Sequence, residues 1–290
     1  MTVYEIVTDR IIKELEAGKI PWRKPWTGVR TGAYSGATGK PYSLLNQLLL
    51  GEPGEYWTHK QVTDRGGTIK KGEKASPVVF WKWVVVEKEG KDGQKKTETV
   101  PYLRYYNVFH ISQCEGIEPR FKEAQMPEFN PIEQAEKILA DYSTRSGCKI
   151  IVEKSNRAYY TPVFDEVHLP LREQFLEPAE YYSAAFHECT HSTGHESRLN
   201  RLSKDAHFGN EEYSKEELVA EIGAASLMNE TGIETPSSFK NSAAYCQSWL
   251  KALKNDSRMI VSAASKAEKA VKMILGIKEE KKDEVVDCGN

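Results

Sequence analysis

Residues 184–191 read Ala-Ala-Phe-His-Glu-Cys-Thr-His, and this short stretch decides the interpretation of the C-terminal half of the chain. Residues four apart share one face of a helix, so His187 and His191 can direct imidazole nitrogens at one cation. Glu188 lies beside the first histidine, where a carboxylate can accept a proton from water. The apolar residues 184–186 favour a buried helix over the alternative of two histidines on a solvated surface. The stretch therefore predicts a metal site inside the protein.

The third ligand of this predicted site must come from another part of the chain. The spacing is the H-E-x-x-H arrangement of zinc peptidases, in which zinc takes three protein ligands and leaves one position open. Glu217 and Glu221 share one face of the next predicted helix. We expect Glu217 to bind Zn²⁺, or another divalent metal, and Glu221 to accept the N–H on the far side of a histidine ring. The alternative is a solvated acidic pair.

The composition excludes several classes of protein. With 39% hydrophobic and 28% charged residues, the 290-residue chain can bury a core and is not wholly disordered. No run approaches the ~18 apolar residues of a membrane helix, and residues 1–5 lack the basic and apolar start of a signal peptide. The five cysteines are scattered, without the spacing of a disulfide framework. We therefore expect a cytoplasmic protein with no membrane partner.

The N-terminal half differs in chemistry from the rest of the chain. Residues 17–51 contain no acidic side chain, and five of the six tryptophans lie within the first 83 residues. Cationic side chains and aromatic rings are the groups that hold single-stranded nucleic acid. The candidate DNA-binding residues are Trp22, Arg23, Lys24, Trp26, Arg30, Tyr42, Lys70, Lys71 and Lys74. The alternative is that the tryptophans form a core and the lysines a solvated rim.

Local patterns in this half predict helices and a β-hairpin. Thr2 and Glu5 form a capping box before a helix that runs to about residue 17. Residues 77–86 and 102–109 are rich in β-branched and aromatic residues, and the polar stretch between them contains an Asp-Gly turn at 92–93. Shorter helices are predicted at 43–50 and 58–64.

Prolines between residues 112 and 131 mark the predicted domain boundary. Beyond it, the patterns predict helices at 131–146, 179–193, 215–230, 237–253 and 257–275, and strands at 149–153 and 159–169. The predicted fold class is α+β. We assign residues 1–120 to a first domain with a hairpin-containing sheet, 121–130 to a linker, 131–276 to a second domain and 277–290 to a charged flexible tail.

Several segments, in order along the chain, resemble the ArdC-type antirestriction proteins of conjugative plasmids and mobile elements. The resemblance rests on residues 20–26 (Ile-Pro-Trp-Arg-Lys-Pro-Trp), 42–46 (Tyr-Ser-Leu-Leu-Asn), 105–109, 187–195 and 216–221, and it extends to about residue 275. It implies an N-terminal domain that binds single-stranded DNA, joined to a zincin-like metallopeptidase domain. It also implies that the protein protects incoming plasmid DNA from host restriction.

The resemblance also implies roles for individual residues. His187 and His191 correspond to metal ligands, and Glu188 corresponds to the catalytic residue. The segment 217–221 is similar to the E-x-x-A-D helix of several gluzincins, in which the first acid binds the metal and the residue four positions later supports a histidine. Glu221 stands where those enzymes carry Asp, so the ligand role stays open between Glu217 and Glu221. The substrate, a protein or peptide, is not identified by the resemblance.

Two other functions remain open at the level of sequence. The protein could be a DNA-binding shield whose zincin-like domain is catalytically silent, in which case antirestriction survives replacement of Glu188. It could also be a cytoplasmic metallopeptidase without a DNA role, in which case it has no affinity for an oligonucleotide even at low salt.

Overall fold

The computed structural model describes residues 2–17, 20–22, 32–89, 95–120, 131–202, 211–233 and 242–278. The α-helices within these ranges are α1 (Val3–Glu16), α2 (Leu44–Leu50), α3 (His59–Asp64), α4 (Pro131–Ser146), α5 (Pro178–Ser192), α6 (Glu211–Thr231), α7 (Ser242–Asn255) and α8 (Met259–Leu275). The strands are β1 (Ala33–Ser35), β2 (Gly54–Thr58), β3 (Thr68–Ile69), β4 (Ser76–Glu89), β5 (Lys95–His110), β6 (Cys114–Glu115), β7 (Lys149–Glu153), β8 (Tyr159–Thr161) and β9 (Glu166–Pro170). The α+β class predicted from the sequence is confirmed.

The first helix forms for the local reason that the sequence predicts. The Thr2 hydroxyl accepts the Glu5 N–H at 3.3 Å, and the Glu5 carboxylate accepts the Thr2 N–H, so two orphan donors of the helix N-terminus are satisfied. Val7, Ile11 and Leu15 follow at i, i+4 spacing and are all buried. The helix therefore presents one apolar face to the rest of the protein.

The N-terminal half is built on a four-stranded sheet in the order β1-β2-β5-β4. The predicted hairpin is confirmed, because β4 pairs antiparallel along its whole length with residues 95–108 of β5, although its Asp-Gly turn lies outside the described residues. Helix α2 packs on β4, where the buried Asn46 side chain bonds both the N–H and the C=O of Val79 at 2.8 Å. This helix ends at Gly51, whose φ of 79° is in the left-handed region that glycine adopts without strain.

The C-terminal half contains a three-stranded sheet in the order β7-β9-β8. The prediction of one strand over 159–169 is wrong, because β8 and β9 are separate antiparallel strands joined by a turn at 162–165. Asp165 ends this turn with a φ of 54°, a conformation that Asp tolerates better than most residues. The Tyr160 hydroxyl donates to Asp165 Oδ1 at 2.8 Å and the Arg198 Nη1 donates to Asp165 Oδ2 at 2.9 Å, which holds the turn closed.

The C-terminal helices depart from the predicted bounds mainly at their starts. Helix α6 begins at Glu211, four residues before the predicted start, and the described part of α7 begins at Ser242, after residues 234–241, which lie outside the described ranges. Among the described helices, none combines the length and the apolar character that crossing a bilayer requires.

One hydrophobic core joins the two halves of the chain. Its buried members from the N-terminal half include Val7, Ile11, Leu45, Leu49 and Leu103, and those from the C-terminal half include Leu218, Ile222, Trp249, Ile260 and Ala264. Polar contacts cross the same interface, since the Thr8 hydroxyl donates to the Ser257 carbonyl at 2.6 Å and Glu268 accepts the Leu44 N–H at 3.1 Å. The linker predicted at 121–130 lies outside the described residues, so the domain division stays a prediction.

Candidate metal centre

Three side chains from α5 and α6 converge on one point. His187 and His191 lie one helical turn apart on α5, and their Nε2 atoms are 3.1 Å apart. Glu217 of α6 places Oε2 3.6 Å from His187 Nε2 and Oε1 3.4 Å from His191 Nε2. The fold therefore brings together the three residues that the sequence predicts as ligands.

These separations and donor types fit a divalent metal ion. Ligand atoms ~2.1 Å from a zinc ion at tetrahedral angles lie about 3.4 Å from one another. The separations of 3.1, 3.4 and 3.6 Å between the donor atoms bracket that value. Two imidazole nitrogens and one carboxylate are also a ligand set that zinc takes in catalytic sites. His187, His191 and Glu217 are thus the residues that would hold the metal.

The local electrostatics favour positive charge at this point. Burial alone lowers the pKa of His191, but hydrogen bonds to Glu216 and Glu217 outweigh burial and raise the pKa to about 10. Burial lowers the pKa of His187 too, but the Glu217 carboxylate 3.6 Å away outweighs burial and raises it above its usual value. Burial raises the pKa of Glu217, yet the two histidine rings beside its carboxylate hold that pKa well below its usual range. A buried cluster of this kind is suited to a cation.

Helix α6 has an acidic face that meets the two histidines and an apolar face that packs in the core. Glu217 and Glu221 are turned towards α5 and are each only 7% exposed. Leu218 and Ile222, on the neighbouring face of the helix, are fully buried in the core shared with the N-terminal half. The apolar face thus fixes how the acidic face meets the two histidines.

Glu188, the residue predicted as the general base, lies on the same helix as the two histidines. It is half-buried on α5, directly after His187. The charge of its carboxylate is one of the smaller influences that raise the pKa of His187 and His191. Within the described residues this carboxylate makes no hydrogen bond, which leaves it able to accept a proton.

The far sides of the two imidazole rings face acids from α6. Glu221 Oε1 lies 3.9 Å from His187 Nδ1, which places it behind the ring but beyond hydrogen-bond distance. His191 Nδ1 lies 3.2 Å from Glu216 Oε1. Glu216 is not among the residues predicted from the sequence, and the signal that could have found it is its position next to Glu217 on the same helix.

One of the predicted DNA-binding residues lies in the core, and four others lie outside the described residues. Trp22 is 6% exposed, and its ring packs edge-on against Trp249 at 5.3 Å between centroids. A ring enclosed in this way cannot stack on a base, so Trp22 is a core residue, as the alternative reading of the tryptophans proposed. The predictions for Arg23, Lys24, Trp26 and Arg30 fall outside the described residues.

The other predicted DNA-binding residues lie in the described part of the chain. Lys70, Lys71 and Lys74 are exposed around the turn that follows β3, and Lys70 Nζ donates to the Ser112 carbonyl at 2.8 Å. Tyr42 is half-buried, with its ring centroid 6.2 Å from that of Phe80.

Tyr42 begins an aromatic row on the N-terminal sheet that the sequence analysis missed. Phe80 is 43% exposed, and its ring lies 5.6 Å from that of Tyr106, which is 37% exposed. Arg104 is exposed directly opposite Phe80 in the register of β4 and β5, so it lies on the same face. We call Tyr42, Phe80 and Tyr106 the aromatic row. Alternation along the predicted hairpin could have placed Phe80 and Tyr106 on one face, but not on an exposed one.

Two family models match successive parts of the chain. Residues 1–109 match the N-terminal domain of anti-restriction factor ArdC, and residues 133–266 match a zincin-like metallopeptidase. The chain is 36% identical over 299 residues to a DNA primase TraC of Escherichia coli, covering 95% of this chain and 27% of the primase. It thus spans about a quarter of the length of that relative. It is also 31% identical over 283 residues to the uncharacterized protein y4eC of Sinorhizobium fredii (strain NBRC 101917 / NGR234), covering 92% of this chain and 89% of the relative.

Solved structures are similar over nearly the whole chain. The Mn(II)-bound crystal structure of the antirestriction ArdC protein from plasmid R388 superposes with a TM-score of 0.76 at 35% identity, covering 96% of this chain and 98% of that one. Its metal-free structure superposes with a TM-score of 0.73, also at 35% identity, covering 94% and 97%. The order of the two family models and the extent of these matches show that the chain belongs to the ArdC family of antirestriction proteins.

Proposed function

We propose that the protein is a cytoplasmic antirestriction factor of a mobile element that binds single-stranded DNA through its N-terminal half and cleaves a protein or peptide at a zinc centre in its C-terminal half. The observation that carries the peptidase part is the convergence of His187, His191 and Glu217, with Glu188 directly after His187 on the same helix. The cytoplasmic location is supported by Cys114, Cys148 and Cys189, the described cysteines, which are all free thiols.

The chain's own residues supply what peptide hydrolysis needs besides the metal. When bound, zinc would lower the pKa of water from ~15.7 towards ~7. His187, His191 and Glu217 hold the metal, and Glu188 takes the proton of the attacking water and passes it to the leaving amine. The partial burial of all four side chains limits solvent access to the reacting groups.

A substrate can be aligned by the sheet next to the metal centre. Among the described strands, β8 pairs only with β9, so one edge of β8 has backbone groups that an extended peptide can bond. Helix α5, which carries both histidines, packs against this strand. A peptide added along β8 therefore runs past the helix that bears the catalytic residues.

The experiment that tests the peptidase proposal uses Glu188→Gln and His187→Ala, with the exposed Glu196→Gln as control. Elemental analysis should find about one zinc per chain in the wild type and in Glu188→Gln, and none in His187→Ala. A library of fluorogenic peptides should be cleaved by the wild type and by Glu196→Gln only. Cleavage by metal-loaded Glu188→Gln would overturn the assigned role.

The DNA part of the proposal is supported by the exposed N-terminal sheet. The aromatic row provides ring faces for bases, and Arg104 lies on the same face as a phosphate-binding cation. Lys70, Lys71 and Lys74 add positive charge on the same half of the chain. Such a surface binds single strands without sequence readout and with steep salt dependence.

Two measurements separate the alternatives from this proposal. A silent zincin-like domain leaves antirestriction intact in Glu188→Gln. A peptidase without a DNA role shows no binding of a labelled oligonucleotide at low salt, where electrostatic affinity is greatest.

A further inference from the structure

Behind the metal centre, a buried arginine holds the acid that contacts His191. Arg201 donates from Nε to Glu216 Oε2 at 2.9 Å and from Nη2 to Glu216 Oε1 at 2.9 Å. This two-pronged geometry fixes both oxygens of the carboxylate. The arginine side chain is only 6% exposed, so water competes little for the pair.

Arg201 is itself anchored to the end of the helix that carries the histidines. Its Nη1 donates to the Thr193 hydroxyl at 2.7 Å, and its Nη2 also bonds the Thr190 carbonyl of α5. The guanidinium therefore connects the C-terminal end of α5 to the N-terminal part of α6. Rotation of the Glu216 side chain would break both of its hydrogen bonds to Arg201 and its contact with His191.

The loop between the two helices is shaped to deliver this arginine. The backbone N–H groups of Arg201 and Leu202 both donate to the Gly194 carbonyl, at 3.0 and 3.1 Å. A Cβ atom on Gly194 would stand 2.8 Å from Leu202 Cγ and 3.1 Å from Arg201 Cγ, so only glycine allows the chain to return this closely. Residues 194–202 thus form a closed loop that ends beside the metal centre.

We propose that Arg201 is a positioning residue for the metal centre, acting through Glu216 on His191. The Nδ1–H of His191 donates to the fixed carboxylate, which selects the tautomer whose Nε2 lone pair faces His187 and Glu217. Among the described residues, the carboxylate behind the His187 ring is that of Glu221, whose Oε1 lies 3.9 Å from His187 Nδ1, farther than Glu216 lies from His191. The inference rests on the proposed metal site, and it assigns that site a support outside the ligand set.

The test measures metal affinity rather than proteolysis. Apparent dissociation constants for Zn²⁺ and Mn²⁺ are determined by competition with a chromophoric chelator for the wild type, Arg201→Ala, Arg201→Lys and Glu216→Gln. We expect Arg201→Ala and Glu216→Gln to weaken binding about 10- to 100-fold, as loss of outer contacts to ligand histidines does elsewhere. Arg201→Lys should weaken it as well, because an ammonium cannot bond both carboxylate oxygens in the same way.

Arg198 provides a matched control within the same loop. It is also 6% exposed and also paired with a carboxylate, but its partner is Asp165 rather than an acid at the metal centre. Arg198→Ala should lower the free energy of unfolding while leaving the metal affinity of the folded protein near that of the wild type. Equal loss of affinity in Arg198→Ala and Arg201→Ala would assign the effect to the loop as a whole and overturn the proposal.

Two further measurements separate the proposal from a purely structural role. Nitrogen-15 NMR of the metal-loaded wild type should show His191 protonated at Nδ1, and Arg201→Ala should broaden or shift that signal while the His187 signal changes little. The double variant Arg201→Ala/Glu216→Gln should lose no more metal affinity than either single variant, because both substitutions disrupt the same contact to His191. Wild-type affinity in Arg201→Ala overturns this inference alone, whereas a wild-type protein that binds neither metal overturns the proposed metal centre with it.

Discussion

Gly223 of α6 lies against Thr190 of α5 so closely that a Cβ atom at position 223 would stand 2.6 Å from Thr190 Cγ2 and 2.8 Å from its hydroxyl oxygen. Thr190 lies between His187 and His191 in the sequence and is fully buried. Its hydroxyl donates to the Phe186 carbonyl at 2.7 Å. The close approach of these two residues sets the distance between the helices. It thereby brings Glu217 to within 3.6 Å of both histidine rings.

Gly223→Ala should separate the helices and weaken the metal centre. In an open helix, alanine would stabilise the protein by about 1 kcal/mol relative to glycine. Here the methyl group meets a buried side chain, so we expect a loss of about 1–3 kcal/mol in the free energy of unfolding. Metal affinity should fall as well. Urea unfolding and chelator competition measure the two effects.

Thr190→Ala tests whether the crossing itself is responsible. Removing the Thr190 methyl and hydroxyl makes room for a methyl group at position 223. The double variant should therefore recover part of the metal affinity lost in Gly223→Ala, which gives a coupling energy of opposite sign to the single effects. A Gly223→Ala protein that is more stable than the wild type and binds metal normally would show that a methyl group fits between α5 and α6, which contradicts this prediction.

Phe80→Ala and Tyr106→Ala should each weaken binding of single-stranded DNA. Stacking of a base on an aromatic ring contributes about 1–3 kcal/mol, which corresponds to roughly 5- to 150-fold in affinity. Fluorescence anisotropy with a labelled oligonucleotide at low salt measures the change. Phe164→Ala is the matched control, since this phenylalanine is 72% exposed in the C-terminal half. Equal affinities for all these proteins would contradict the proposed role of the aromatic row.

Replacing Lys70, Lys71 and Lys74 together by Gln should reduce the salt dependence of DNA binding. Each phosphate contact to a single strand contributes about 0.7 to the slope of log affinity against log salt. Loss of three contacts should therefore reduce the slope by about 2. Titrations at four or more salt concentrations give the slope directly.

The control for charge alone uses three exposed lysines of the C-terminal half. Lys137, Lys251 and Lys269 replaced together by Gln change the net charge by the same amount. If this protein loses as much slope as the N-terminal triple variant, the lysines near β3 are not specific contacts.

The free energy of unfolding of Asp165→Asn should fall less in acid than that of the wild type. Hydrogen bonds from Arg198 hold the pKa of Asp165 below its ordinary value, so the carboxylate stabilises the folded protein above the unfolded pKa of ~3.9 and loses that effect as pH falls through the folded pKa. Asn tolerates the positive φ at this position, so the change isolates the charge. The difference in the free energy of unfolding between the two proteins should be largest near pH 6 and shrink towards pH 2. Urea unfolding at several pH values measures it, and a difference independent of pH would contradict the assignment.

Trp22→Ala should destabilise both halves of the chain together. Truncating a buried tryptophan costs about 3–5 kcal/mol, and Trp22 contacts Trp249 in the core that α1, α2, α6 and α8 share. Hydrogen exchange followed by mass spectrometry should show α2 and α6 losing protection by the same amount. Loss confined to the N-terminal half would show that the two halves unfold separately.

The local elements were predictable because their causes are local. The Thr2–Glu5 capping box and the spacing of Val7, Ile11 and Leu15 suffice to place α1. The strand break at 162–165 was missed, because it depends on Asp165 being held by Arg198, which is 33 residues away in sequence. The basic residues next to Trp22 in the sequence favoured a role in DNA binding. Its contact with Trp249 is not visible in the sequence, because the two residues meet only in the folded protein.

The sequence by itself determined the helix that carries His187 and His191, since i, i+4 spacing on one helix face is a property of the chain alone. It also indicated that an acid of the next helix would complete the site. Only the tertiary structure places Glu217, and not Glu221, next to both Nε2 atoms, because that depends on how α5 and α6 cross at Thr190 and Gly223. It likewise decided that Arg201 and Glu216 lie behind His191. These relations depend on how two helices pack, and that is fixed by a core contributed by both halves of the chain.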